Sequence, residues 1–267
     1  MREPNTIAGI RDTSRVWAIG AVHGDAARLR AVHRELETRL ARGDVLVYLG
    51  NYLGHGDAVI ETVNELLDFR RRFLAQPPLR FPDDIVYLRG NQEEMWQKLL
   101  QLQFASDPSA ILNWVVSRGV DATLRAYGAS VDDGSYAATG GTMQLNNWTR
   151  SLREAQRAHP GHDTLLAHLK RAAACEDGSL LFVNCGIDPQ RPLAAQSDAF
   201  WWAARSFDGI AEPYEDFVRV IRGYDPEHGG FAETEFTVTL DGGCGFGGTL
   251  VAACFGPDGS ILDSFGC

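Results

Sequence analysis

Short apolar runs recur along the chain, and each ends in glycine followed by a few polar side chains. The first is residues 16–20 (VWAIG), which leads into AVHGD. Four later stretches repeat the form: 45–56 (VLVYLGNYLGHG), 85–93 (IVYLRGNQE), 180–189 (LLFVNCGIDP) and 218–226 (VRVIRGYDP). Such runs predict buried strands whose ends collect polar groups at the carboxyl edge of an α/β sheet, where open α/β folds place their sites. Between the strands the period lengthens. Leu29, Val32, Leu36 and Leu40 fall on one stripe of a helix over 26–42, which Gly43 ends. Val59, Val63, Leu66 and Leu67 form the inward face of a second helix over 57–74, and Pro77, Pro78 and Pro82 mark the loop before a strand at 85–88. Alternation at this spacing predicts βαβ units in a largely parallel sheet.

The remainder is less regular. Residues 92–174 read as mostly helical, with Met95, Leu99 and Leu102 on one face and Trp114 and Leu124 in later turns. The stretch 128–141 (GASVDDGSYAATGG) reads as a flexible interruption, either a lid or a plain loop. A helix around 196–205 follows the strand at 180–184, and then a strand at 217–221. Runs at 235–240, 249–255 and 261–265, separated by Gly-rich turns, predict an antiparallel ribbon with a GPDG turn at 256–259. Residues 1–15 are expected to be a loose arm and 16–267 one domain, because no repeat, low-complexity tract or linker interrupts them. Trp201 and Trp202 beside Phe200 fit either an association patch or core packing.

Charge narrows the function classes. A net charge of −10 over 267 residues argues against a nucleic-acid or anionic-membrane surface. The one basic run, Arg70-Arg71-Arg72, closes a helix that opens with Asp57 and Glu61, and Asp68 can reach Arg72; this is a solvated face suited to the helix dipole. Five scattered cysteines without a C-x-x-C pair suggest reduced thiols. The opening MREPNTIAGIRDTS has no apolar h-region and no apolar run approaches membrane-spanning length, so a cytoplasmic location is expected.

Taken in order, GAVHG (20–24), GNYLGHG (50–56), GNQE (90–93), VNCG (183–186) and GYDP (223–226) resemble the motifs of PPP-type metallophosphoesterases, which run GDxHG, GDxxDRG, GNHE, HAG and GHTP. That family includes bacterial serine/threonine protein phosphatases and diadenosine tetraphosphatases. WVVSRGVDATLRAYG (114–128), GIDPQRPLAAQSD (186–198) and LDGGCGFGGTL (240–250) also look like the bacterial branch, so the likeness covers nearly all of 16–255. The resemblance implies a calcineurin-like α/β fold, a four-layer αββα sandwich with two mixed sheets, and two metal ions at the joined strand ends. By it the metal positions are Ala21, His23, Asn51, Asn91, Asn184 and Tyr224, the general-acid position is Gln92, and the Asp and Arg of the second motif are Gly54 and His55.

Only His23 and Asn91 keep a ligand identity. Two dications about 4 Å apart repel, and a bridging carboxylate offsets that repulsion. One carboxylate beside a dication contributes on the order of 10 kcal/mol gross. Ala21 supplies no ligand atom and Asn51 no charge, so a tight dinuclear centre is not expected. An amide at Gln92 cannot protonate a leaving alkoxide, a loss of roughly 10²–10⁴ in rate. The chain therefore reads as a pseudophosphatase that needs no cofactor, whose groove holds a phosphorylated or acidic segment of a partner, or which regulates an active phosphatase or kinase pathway. The alternative is an active phosphoesterase, acting on phosphoproteins or dinucleoside polyphosphates, with one weakly held divalent ion (Mn, Zn or Fe) on His23, His55 and Asp25 or Asp57. The structural readings of the same residues stay open: His23 as a hydrogen-bonded histidine, Asn91 as a brace at a helix start, Glu93 and Glu94 as first-turn acids, Asp25 and Asp57 as caps, and Tyr224 as filler. The directions of Arg89 and Arg222 also stay open.

Overall fold

A computed structural model of the chain describes residues 6–11, 13–77 and 80–267. In chain order its elements are β1 (Ile7–Ile10), β2 (Val16–Ile19), α1 (Ala26–Arg39), β3 (Val45–Tyr48), α2 (Val59–Ala75), β4 (Ile85–Tyr87) and α3 (Asn91–Leu100). A helical insertion follows: α4 (Pro108–Val116), α5 (Val120–Ala126), α6 (Val131–Thr139), α7 (Thr142–Ala158) and α8 (His162–Ala167). The second half comprises β5 (Ala172–Cys175), β6 (Leu180–Val183), α9 (Ala199–Trp202), α10 (Ala204–Asp208), β7 (Arg219–Arg222), β8 (Gly230–Glu233), β9 (Thr237–Asp241), β10 (Val251–Phe255) and β11 (Ile261–Gly266).

The strands form two mixed sheets. One has the order β11-β10-β2-β3-β4, with β2, β3 and β4 parallel and β10 antiparallel to β2. The other has the order β1-β5-β6-β7-β9-β8, with β6, β7 and β9 parallel. Alternation along each strand builds the layers. On β2, Val16 and Ala18 face the second sheet across a core that includes Val47, Phe182, Ile221, Leu240 and Phe255. Trp17 and Ile19 point the other way, onto Leu29, Val32, Leu36, Val63 and Leu66 of α1 and α2. Beyond the second sheet, Leu181, Val183 and Val220 pack against Phe200, Trp201 and Phe207. This is the calcineurin-like αββα sandwich, with the carboxyl ends of β2, β3, β4, β6 and β7 converging on one edge. Among the described residues no helix is long and apolar enough to cross a membrane.

Several expectations are corrected. Ile7–Ile10 is no loose arm: it runs parallel to β5 as an edge strand. Residues 1–5 and 12 of that arm, and Pro78 of the loop, lie outside the described residues. The Ala-rich run AAAC reads as helix by propensity, yet it is β5, because ladder pairing on both sides overrides a preference of a few tenths of a kcal/mol per residue. The 128–141 stretch holds α6, capped by the Ser130 hydroxyl. The C-terminal ribbon divides between sheets: β10 and β11 pair with each other, whereas β9 joins β7 and β8. Asp25 caps α1 through the Arg28 N–H at 3.0 Å, as expected, but Asp57 is exposed and caps nothing. Asp68 pairs with Arg71, leaving Arg72 to Glu37 and Glu65. Trp201 is core and donates to the Arg89 carbonyl at 2.8 Å.

His162 joins the helical insertion to α2. Its ring is fully buried, with Tyr127 Oη 2.8 Å from Nδ1 and Asn64 Oδ1 3.1 Å from Nε2. Burial, with His159 adding to it, lowers its pKa to about 4. The unfolded chain takes up this proton near pH 6.5 and the folded one does not, so this contribution to stability is complete above about pH 6.5 and is lost as pH falls towards 4. Urea midpoints measured across that range should drop for the wild type and drop less for His162→Gln.

Candidate functional site

The polar ends of β2, β3, β4, β6 and β7 form a cup, and Glu93 holds it together. This carboxylate, 4% exposed, sits in the first turn of α3 and accepts four backbone N–H groups. Oε2 takes those of Gly90 at 2.8 Å and Asn51 at 2.9 Å; Oε1 takes those of Tyr52 at 2.7 Å and Leu53 at 3.0 Å. Burial raises its pKa, while the four N–H groups act in the opposite direction. Position in a helix's first turn accounts for Gly90 alone; the clamp on the loop after β3 could not be read from the sequence.

The amides of the cup are spent on the scaffold. Asn51 Oδ1 accepts the Gln92 N–H at 3.2 Å. Asn184 accepts the Asn91 N–H at 3.1 Å and donates to the Leu49 carbonyl at 2.7 Å, tying the two sheets together. Gln92 donates to the Arg118 carbonyl at 2.8 Å and lies 3.1 Å from His55 Nε2. Ala21 is buried and donates its N–H to the Gly223 carbonyl at 2.9 Å. The Gly54 position is filled from outside: a Cβ there would stand 2.1 Å from Gln92 Oε1. Asn91 opens α3, but Gly90 is the capping residue and Asn91 Oδ1 has no partner.

His23 is fully buried, and its ring has one hydrogen-bond contact, Asn51 Nδ2 at 3.5 Å from Nε2; Nδ1 has no partner. The ring is thus hydrogen-bonded at one nitrogen only, and by a long contact. Its ring lies among Tyr224 (5.5 Å between centroids), His55 (5.1 Å), His228 (6.4 Å) and Phe246 (5.2 Å). Burial first, then His55 and His228, lower the His23 pKa well below its usual value. Burial and His228 lower that of His55. Burial raises the Tyr224 pKa, against the effects of the Asn91 side chain and the Arg118 guanidinium. Of the six non-glycine residues with left-handed φ among those described, His23, Asn51, His55 and His228 all belong to this cup. Such backbone costs of order 1 kcal/mol or more per residue and concentrates where function constrains geometry.

His228 and Phe246 were not anticipated. His228 follows the fifth motif by a few residues and has no motif of its own. Its Nδ1 lies 2.9 Å from Asp241 Oδ2, and the other oxygen of Asp241 accepts the Gly243 N–H at 2.9 Å. Asp25 pairs with Arg28, so neither it nor Asp57 joins His23 and His55. Arg89 pairs with Glu94, and Arg222 turns inward to Asp208, Asp225 and Thr239. Among the described residues no group of three or more His, Cys, Asp or Glu side chains is placed to hold a metal ion. With Asn51 and Asn184 occupied by backbone groups and no carboxylate facing them, these residues do not fit the pair of dications that the motif order implies.

No protein-family model and no curated protein matches the chain. Solved structures do. A candidate diadenosine tetraphosphatase is 19% identical over 98% of both chains, with a TM-score of 0.58. A cold-active protein tyrosine phosphatase is 12% identical over 96% of this chain and 80% of its own, at 0.53. A hypothetical protein from Pyrococcus horikoshii is 13% identical over 96% and 88%, at 0.50. These likenesses establish the fold, that of the calcineurin-like metallophosphoesterases.

Glu93→Ala strands four buried N–H groups and should cost at least about 3 kcal/mol in urea unfolding. Glu93→Gln should recover no more than half of that, since its NH₂ faces donors. Gly54→Asp alone should cost about 1–3 kcal/mol through overpacking. In a Gln92→Ala background the penalty should shrink by about 1 kcal/mol, a coupling that a double-mutant cycle measures.

Proposed function

We propose that this chain recognises an anionic group rather than hydrolysing it, its cup receiving a phosphorylated or acidic segment. One observation carries the reading: the residues at the motif positions are neutral, and Asn51 and Asn184 are engaged in hydrogen bonds that join the loops to each other. The loops around the cup are held to each other by amides where a hydrolase of this fold would use cations. Two acids of the cup are already engaged: Glu93 faces the loop amides, and Asp241 holds His228 and backbone N–H groups. Arg118, exposed, with its carbonyl held by Gln92 and its guanidinium 5.4 Å from the Trp114 ring centroid, supplies a positive charge beside the cup.

Chain purified in Mn²⁺ should retain far less than two ions per molecule and turn over no aryl phosphate. Two tightly held ions with turnover that His23→Ala abolishes would sink the proposal. Phenyl phosphate should bind, and Arg118→Ala should weaken it about fivefold, the value of one exposed charge pair. Restoring Ala21→Asp, Asn51→Asp, Gln92→His, Asn184→His and Tyr224→His should recover hydrolysis only in part. The surrounding hydrogen bonds now serve amides, and such outer partners contribute about 10–100-fold.

A further inference from the structure

Residues 242–248 (GGCGFGG) pass over the cup, and two of them tie the loop down. The Cys244 thiol is buried and donates to the Val22 carbonyl at 3.2 Å. Gly245 lies against His23 so closely that a Cβ would sit 2.4 Å from the histidine Cβ, and only glycine fits. Phe246 comes next. Its ring is seated on three imidazoles, 5.2 Å from His23, 4.4 Å from His55 and 4.1 Å from His228 between centroids. The His23 separation falls in the range of favourable aromatic pairs, and the other two are closer still. Yet Phe246 is 45% exposed, so it gains far less from burial than a core phenylalanine does. The adjoining Gly247, at φ +92°, has open space where a side chain would stand.

Beneath the ring the scaffold is held in a costly form. His23, His55 and His228 all have left-handed backbone, at φ 51°, 56° and 49°. His23 Nδ1 is buried without a partner. Three strained histidines presenting ring faces and edges to one spot is more than the packing of one half-exposed phenylalanine requires.

We propose that Phe246 is the built-in occupant of a ring-binding site: a planar aromatic group from outside displaces it and stacks among His23, His55 and His228. The inference rests on the reading of the cup as a recognition site and makes the ligand specific, an aromatic ring whose anionic substituent reaches Arg118. Phe246 competes at every moment, so it lowers apparent affinity by the fraction of time its seat is free.

The test is a ¹⁹F NMR titration of the intact chain with 4-fluorophenyl phosphate and 4-fluorophenol, with inorganic phosphate followed by ³¹P. Phe246→Ala should tighten both fluorinated rings about tenfold and change inorganic phosphate less than about twofold. Ring affinity unchanged or weakened in Phe246→Ala would make Phe246 a wall rather than an occupant and overturn the inference. Should the alanine form fail to fold, Phe246→Leu keeps the apolar contact without the ring and makes the same comparison, with a gain of a few-fold expected and no gain overturning. 4-Fluorophenol separates the two proposals. Its gain without any phosphate binding would leave the ring site standing and remove the anion reading. Phosphate binding without a ring gain would do the reverse.

Discussion

Four amide hydrogens, from Gly90, Asn51, Tyr52 and Leu53, end on one carboxylate inside the protein. Glu93 thereby fastens the loop after β3 to the start of α3, two segments that no ladder hydrogen bond joins at this depth. Asn51 and Gln92 are face to face because of it, and Asn51 in turn accepts the Val22 and His23 N–H groups on its carbonyl. Position passes from Glu93 to Asn51 to His23, and the three loops become one surface. A buried charge without so many donors would be expensive. With them it acts as the hub of the carboxyl edge.

On that frame the neutral residues make sense as a set. A metal pair demands charge at its ligand positions and pulls the loops together by coordination. Here Asn184 bridges the sheets through the Leu49 carbonyl and the Asn91 N–H, and Gln92 reaches across to the Arg118 carbonyl. Gln92 also takes the volume that a side chain at position 54 would need, so glycine there and glutamine here are one adjustment rather than two. Amides and one internal carboxylate supply the cohesion of this edge.

The floor of the cup stays costly all the same. Left-handed histidines, an unpartnered imidazole nitrogen and a half-exposed aromatic ring all raise the free energy of the folded chain. They lie within one cluster at the carboxyl edge. The packed layers absorb the cost of holding these polar and aromatic groups at the edge.

The order of apolar runs was enough to determine strands β2, β3, β4, β6 and β7, the α1 and α2 stripes, and the gathering of their polar ends, since burial period is local to each segment. Motif order then implied the sandwich and named His23, Asn51, Gln92 and Asn184 as neighbours. Strands β1 and β5 were not legible, because Ile7–Ile10 becomes a strand only by pairing with β5, more than a hundred residues away, and the alanine run by pairing with both β1 and β6. Nor was the role of Glu93, whose four donors come from two separated segments, or the meeting of His228 and Phe246 over His23. Side chains with no periodic signature of their own acquire position from the closing of two sheets on each other. Tertiary structure alone decided what covers the cup and which amides hold it closed.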